Sequence, residues 1–394
     1  MIPADILPDD HARAILLGRL FDPELAGPCL VHLRSDRLVD VTAAGPTVAD
    51  LLERDDPAGA IASVPATRSF AFEAVVADSM ARRTDRPHLL APCDLQAVKA
   101  CGVTFARSMI ERVIEERAKG DHREAGAIRE KVLAAVGGAL GEVRAGSPEA
   151  ARVKQLLIES GYWSQYLEVG IGPDAEVFTK APVLSSVGLG AEIGILRASV
   201  WNNPEPEVVL AVNSHGQVRG ATLGNDVNLR DIEGRSALLL GKAKDNNASC
   251  AIGPFLRLFD TDFGIDQVRE LELSLTVTGA EDGYVLNGSS SMRHISRDPL
   301  DLVAQTIGRH HQYPDGMMLF LGTLFAPTQD RDQPGRGFTH ERGDQVAIAA
   351  PALGRLVNRV TYSDEAPAWR FGIAALMRNL AARGLLVADR EKAP

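Results

Sequence analysis

Three observations predict a β-rich α+β fold. After Gly161 the chain breaks into short β-branched and apolar runs, at 207–212, 217–223, 271–278, 284–286 and 345–350, separated by Gly, Pro and Asn. Strands of that length with turn residues between them suit sheets folded over one another, or a barrel. Alternating βα units are missing, which disfavours parallel α/β architectures. The helical patterns gather in one stretch before Gly161, so helices and strands are segregated.

In chain order, 28–41 predicts two short strands around a turn at Ser35-Asp36. A helix should follow with Thr47 as its N-cap, because Val48, Leu51 and Leu52 have inward-facing spacing. The Arg-, Asp- and Pro-rich segment 78–92 predicts a linker, placing a small N-terminal α+β domain at 1–88 and the main domain at 89–394. From 94 to 120 the pattern is helical: Met109/Val113 and Ile110/Ile114 recur at i+4 among Glu and Arg. Two further helices at 121–140 and 147–160 complete a helical insertion of about 106–160, with Gly137-Gly138 and Gly141 breaking the first of them. A packed cover with solvated charges accounts for most of it.

At 394 residues, 45% hydrophobic and 24% charged, the chain can bury a large core. Its formal net charge of -10 opposes phosphate backbones and argues against a nucleic-acid partner. Cys29, Cys93, Cys101 and Cys250 show neither CxxC pairing nor zinc spacing, which suits reduced, buried thiols. Asp5, Asp9 and Asp10 interrupt the N-terminus before an apolar run can form, and no run approaches ~18 apolar residues. A cytoplasmic protein without a membrane partner is expected.

The most informative stretch runs from Trp201 to Asp231. Glu205 and Glu207 are two apart, so on a strand both carboxylates share a face. A two-residue hairpin at Ser214-His215 would set Glu205 opposite Gly224 and Glu207 opposite Thr222, with Asp226 curling over the same face just past the ladder. Converging carboxylates without matching cations repel, and a divalent cation removes the conflict. An all-oxygen set favours a hard ion, Mg²⁺, Mn²⁺ or Ca²⁺, and leaves positions open for water and a chelating substrate. Alone, Glu-x-Glu is also common on solvent-facing strands. Pro204 and Pro206 place these acids at a strand edge, and Arg230, Asp231, Lys242 and Lys244 lie on nearby polar segments.

The ordered set Glu205, Glu207, Asp226, Arg230, Asp231 and Lys242 resembles the fumarylacetoacetate hydrolase superfamily, with its strand Glu-x-Glu, a later Asp-x-x-x-Arg-Asp and a downstream Lys. Phe178-Thr-Lys-Ala-Pro-Val-Leu-Ser185, Gly102-Val-Thr-Phe105, Gly322-Thr323 and Gly343-Asp344 extend the resemblance over about 85–385. It implies a rolled β-sheet core, a homodimer or homotetramer, and Mg²⁺ (or Mn²⁺) on Glu205, Glu207 and Asp226. Arg230 and Lys242 would face the substrate's oxygens, and Thr323 would hold its carboxylate. Where carbon–carbon-cleaving members carry a catalytic His, this chain has Ser108, with Glu111 three residues on. The helical insertion, Gly-Asn-Asp-Val-Asn-Leu-Arg-Asp and His311-Gln-Tyr-Pro-Asp-Gly316 are similar to the branch of 2-keto-3-deoxy sugar-acid dehydratases. That branch implies a small 2-keto acid substrate, a D-xylonate- or arabonate-type 2-keto-3-deoxypentonate converted to 2,5-dioxopentanoate. Ser108 and His311 would then line the substrate pocket, Lys242 would support the chemistry, and Glu111 would be the general acid. A C–C hydrolase or decarboxylase acting on an acylpyruvate- or oxaloacetate-like substrate is the alternative.

Overall fold

In the computed structural model, which describes residues 3–136, 143–159, 161–331 and 337–386, two sheets fold over one another without closing into a barrel. The larger has eleven strands, and its central members are Leu16–Asp22, Cys250–Leu258, Val218–Asp226, Pro206–Val212, Met317–Phe320 and Ala97–Gly102. The smaller has five: Val285–Ser291, Glu272–Thr278, Gln345–Ala350, Gly354–Tyr362 and Glu192–Ile195.

Strand Pro206–Val212 shows why both faces of the larger sheet are covered. Val208, Leu210 and Val212 join a core that includes Leu273, Leu275, Val346 and Ile348 of the smaller sheet. Val209 and Ala211 point the other way, into a core with Leu17, Leu30, Val48 and Leu51 from the N-terminal region. A strand buried on both faces needs apolar residues throughout, and Val-Val-Leu-Ala-Val supplies them. Glu272–Thr278 instead alternates exposed and buried residues, as a half-covered antiparallel strand should. The N-terminal strands pair into the larger sheet through Leu16–Asp22, which bonds Cys250–Leu258.

Several sequence expectations recur at their places. Gly27–Arg34 and Arg37–Asp40 flank the Ser35-Asp36 turn, and Thr47 caps Val48–Leu52 by accepting the Asp50 N–H. Others are corrected. The segment expected as a linker carries the end of helix Phe72–Met80 and strand His88–Leu90, because Phe72, Val75 and Val76 bury a helical face. The helix expected from 94 starts at Ala106: Ala97–Gly102 is a strand pairing with both Met317–Phe320 and Glu176–Ala181. Helices Ala106–Arg117, His122–Val136, Pro148–Glu159 and Gln165–Ile171 form the insertion. They pack Met109, Val113, Val132, Leu157 and Leu167 around Trp201. Gly137-Gly138 and Gly141 lie outside the described residues. Among those described, no helix is long and apolar enough to cross a membrane.

Candidate metal centre and active site

Strands Pro206–Val212 and Val218–Asp226 pair with Glu207 opposite Gly224 and Pro206 opposite Asn225. The pairing expected from sequence is therefore off by two. The turn closes where Asn213 N–H donates to the Gln217 carbonyl at 3.0 Å, one residue more than a two-residue hairpin. A bulge beside Val212 then adds another. Since side chains alternate with period two, a shift of two keeps every residue on its expected face. Asp226 consequently lies across from Glu205, donating its backbone N–H to the Glu205 carbonyl at 3.0 Å. Glu205, Glu207 and Asp226 are buried, and each offers an oxygen within 4.8 Å of the others.

Matching cations are present, which corrects the sequence-based picture of unmatched acids. Lys244 Nζ bonds Glu205 Oε2 and, at 3.0 Å, Asp226 Oδ2. Lys180 Nζ, wholly buried, lies 2.7 Å from Asp226 Oδ1. Arg112 bonds the second Glu205 oxygen and pairs with Glu115 and Glu233. Burial alone would raise Glu205, but Lys244 and Arg112 hold it below the usual carboxylate range. Glu207 has no cation of its own. It accepts from Gly322 N–H at 2.7 Å and from the Thr323 hydroxyl at 3.2 Å. Burial, then the charges of Asp226 and Glu205, push it well above the ordinary range. Gly322 reaches Glu207 at φ +100, a conformation that L side chains rarely adopt. One surplus buried carboxylate beside two paired ones is a donor set that fits a hard divalent cation, with Glu205, Glu207 and Asp226 as the residues that would hold it.

The other expected site residues divide. Thr323 reaches the centre through Glu207. Lys242 does not: it is exposed on the short helix Leu240–Lys244, and Lys244 takes its place. Residues two apart on a helix point to nearly opposite sides, so only one of the two lysines could face inward. Replacing Lys242 with Ala should leave the chemical unfolding midpoint unchanged, whereas Lys244→Met should cost about 3–5 kcal/mol by stripping Glu205 and Asp226 of a buried partner.

Arg230 is buried, and its partners lie outside the triad: it pairs with Glu115 at 2.8 Å and Glu111 at 3.8 Å, donates to the Pro327 carbonyl and stacks on Trp201 at 5.1 Å. Asp231 accepts from Ser199 Oγ and Val200 N–H. Ser108 donates to the Phe105 carbonyl of its own helix at 2.8 Å. Glu111 is gripped by Arg129 through both carboxylate oxygens, at 3.0 and 2.7 Å. That bidentate ion pair occupies both carboxylate oxygens, which opposes the expected role of general acid. His311 is exposed and stacks on Tyr313 at 4.5 Å, outside the centre.

Glu176, which sequence reasoning missed, is the acid–base candidate. It opens strand Glu176–Ala181 opposite Gly102, where any side chain at 102 would collide with its carboxylate. Burial, then the Glu233 carboxylate, raise it to about 7, with Arg112 and Lys244 opposing. The signal was the strand period: Glu176 and Phe178 share a face, and Phe178 lies 5.6 Å from Lys244 Nζ.

Residues 159–361 match the family described as Fumarylacetoacetate (FAA) hydrolase C-terminal. The chain belongs to the fumarylacetoacetate hydrolase family. It is 32% identical over 203 residues to a probable 2-keto-3-deoxyxylonate dehydratase of Haloferax volcanii, covering 52% of this chain and 66% of that one. It is 30% identical over 185 residues to a 2-dehydro-3-deoxy-D-arabinonate dehydratase of Saccharolobus solfataricus, covering 47% and 58%. The matched regions thus span less than two thirds of these relatives. A solved 2-keto-3-deoxy-D-arabinonate dehydratase, complexed with magnesium and 2,5-dioxopentanoate, superposes with a TM-score of 0.60 at 18% identity, over 88% of this chain and 99% of that one. A 5-carboxymethyl-2-hydroxymuconate delta-isomerase from Mycobacterium smegmatis gives 0.52 at 18% identity, over 88% and 100%. Both likenesses concern the fold.

Proposed function

We propose that this protein is a Mg²⁺-dependent hydro-lyase that converts a D-xylonate- or arabonate-type 2-keto-3-deoxypentonate to 2,5-dioxopentanoate. The observation that carries the reading is the buried triad of Glu205, Glu207 and Asp226 with Lys244 and a nearby Glu176 poised near neutrality. The names of the two curated relatives support it. Held by Glu205, Glu207 and Asp226, a bound Mg²⁺ would supply Lewis acidity that makes the C3 protons of a 2-keto acid easier to remove.

The chain's own groups supply the proton traffic. Glu176 takes a C3 proton and delivers it to the departing C4 hydroxyl, so water leaves and a C3=C4 double bond remains. Moving a proton from C5 to C3 then gives a C5 enol, which becomes the aldehyde as its hydroxyl proton is lost and a proton is added at C4. Lys244 places positive charge beside the keto acid's oxygens. Lys180 and Arg112 hold Asp226 and Glu205 in place. Ser108 stands where carbon–carbon-cleaving members of the family carry a catalytic His, which disfavours hydrolysis of an acylpyruvate. The proposed enzyme works in the cytoplasm as a homodimer or homotetramer.

The test is a carbonyl-detecting assay with 2-keto-3-deoxy-D-xylonate, its C4 epimer and an acylpyruvate, with and without EDTA. Mg²⁺-dependent aldehyde from a deoxypentonate is expected. Cleavage of the acylpyruvate alone would overturn the reading in favour of the hydrolase.

A further inference from the structure

The register that aligns the triad continues beyond it. Pro206 opposite Asn225 and, past the two prolines, Asn203 opposite Asn228 belong to one unslipped alignment. Alternate cross-strand rows therefore share a face. In order they are Glu207 with Gly224, Glu205 with Asp226, Asn203 with Asn228, and Trp201 with Arg230. Trp201 and Arg230, one row beyond the two-pair ladder, stack on each other, and Arg112 and Glu115 of one helix bond Glu205 and Arg230, which puts the rows on either side of the asparagines against the same helix.

The asparagine row is the unexplained one. Asn203 and Asn228 are fully buried. Asn203 Nδ2 donates to the Pro204 carbonyl at 2.9 Å, but Asn203 Oδ1 and both polar atoms of Asn228 have no partner among the described residues. Three orphaned amide atoms in one buried row cost about 1–3 kcal/mol each unless something bonds them. The row stands two residues from the metal-ligand row, roughly 6.7 Å along the strand. On its far side Trp201 walls a surface cavity of about 650 Å³, also bounded by Lys119, His122 and Arg235.

We propose that Asn203 and Asn228 form the recognition row for the hydroxyl-bearing far end of the substrate and set the enzyme's preference for a polyol chain over a plain 2-keto acid. This deepens the dehydratase reading and rests on it. With C1 and C2 held at the triad, a five-carbon chain directed toward Trp201 brings its terminal hydroxyl to this row. Asn203 Oδ1 accepts the terminal hydroxyl proton and Asn228 Nδ2 donates to that hydroxyl oxygen, which leaves Asn228 Oδ1 to accept from the neighbouring C4 hydroxyl. A site built to bond a hydroxyl rejects the analogue lacking it, because its own polar atoms are then left unpaired.

The test compares kcat/KM for the 2-keto-3-deoxypentonate with that for 4-hydroxy-2-oxopentanoate, its 5-deoxy analogue, with Mg²⁺ affinity followed by calorimetry. The wild-type protein should favour the former by about 10²-fold or more. Asn228→Leu should bring that ratio to within a few-fold of unity with Mg²⁺ affinity retained. Asn228→Ser, smaller and still polar, should give an intermediate ratio and decides the matter if the leucine variant does not fold. A wild-type ratio under tenfold, or a ratio unchanged in the variants, overturns the inference while leaving the dehydratase reading intact. Turnover of neither compound by the wild type overturns the dehydratase reading, and this inference with it.

Discussion

Glu176→Gln is expected to lower kcat by about 10²–10⁴, the usual contribution of a positioned acid–base group, while leaving Mg²⁺ affinity near that of the wild type. Glu176 lies outside the triad, so calorimetric titration with Mg²⁺ separates loss of proton transfer from loss of the metal. The same substitution should stabilise the protein. Burial and Glu233 raise this carboxyl from its ordinary 4.5 to about 7, so between those values the folded state binds more protons than the unfolded one. Stability therefore falls as pH rises through that window, and the penalty is complete above about 7. Glutamine carries no charge to desolvate. The variant should gain about 1–3 kcal/mol at pH 8 and nearly nothing at pH 4.5, as read from denaturant melts at the two pH values. For the wild type, kcat/KM should rise with pH and level off above about 7, because the free enzyme must present the carboxylate to take the C3 proton. A variant that keeps full activity, or one that loses stability at pH 8, would remove Glu176 from the mechanism.

Period-two geometry makes the triad legible in the amino-acid sequence itself. Glu205 and Glu207 have to share a face, and a pairing error of two residues leaves that face unchanged. The fold class is legible for a similar reason: strands buried on one or both faces write their burial into the alternation of Val, Leu and Thr. Charge partners are harder. Lys242 and Lys244 sit in the same Gly- and Asn-rich segment with the same chemistry, and only the orientation of a five-residue helix selects Lys244. Glu111 illustrates the opposite failure. Its place in a motif points to catalysis, but Arg129, eighteen residues on in the next helix, occupies it. Such contacts depend on how helices of the insertion pack, which periodicity within one helix cannot specify. Arg230 likewise follows the triad in sequence yet spends its charge on Glu115 and its plane on Trp201.

The three carboxylates of the centre should respond differently to neutralisation, although each would cost the metal. Asp226→Asn removes the anion shared by Lys180 and Lys244, both buried. Leaving buried Lys180 without its carboxylate, and Lys244 with Glu205 alone, should cost about 3–5 kcal/mol in the metal-free protein. Glu207→Gln removes the one carboxylate that no cation balances. Its neighbours are the Gly322 N–H, which can donate to the amide oxygen, and the Thr323 hydroxyl, which can accept from the amide nitrogen. Because Glu207 is already pushed well above the ordinary range by burial and by its acidic neighbours, an uncharged amide costs little, and metal-free stability should stay within about 1 kcal/mol of wild type or rise. Both variants should lose turnover and the rise in Tm on adding Mg²⁺, since a ligand that binds only the folded state stabilises by RT ln(1 + [L]/Kd). Paired thermal melts with EDTA and with Mg²⁺ separate the two effects. Equal destabilisation of both variants in EDTA would mean that Glu207 has a charge partner after all. A Tm rise surviving in Glu207→Gln would place the cation away from Glu207.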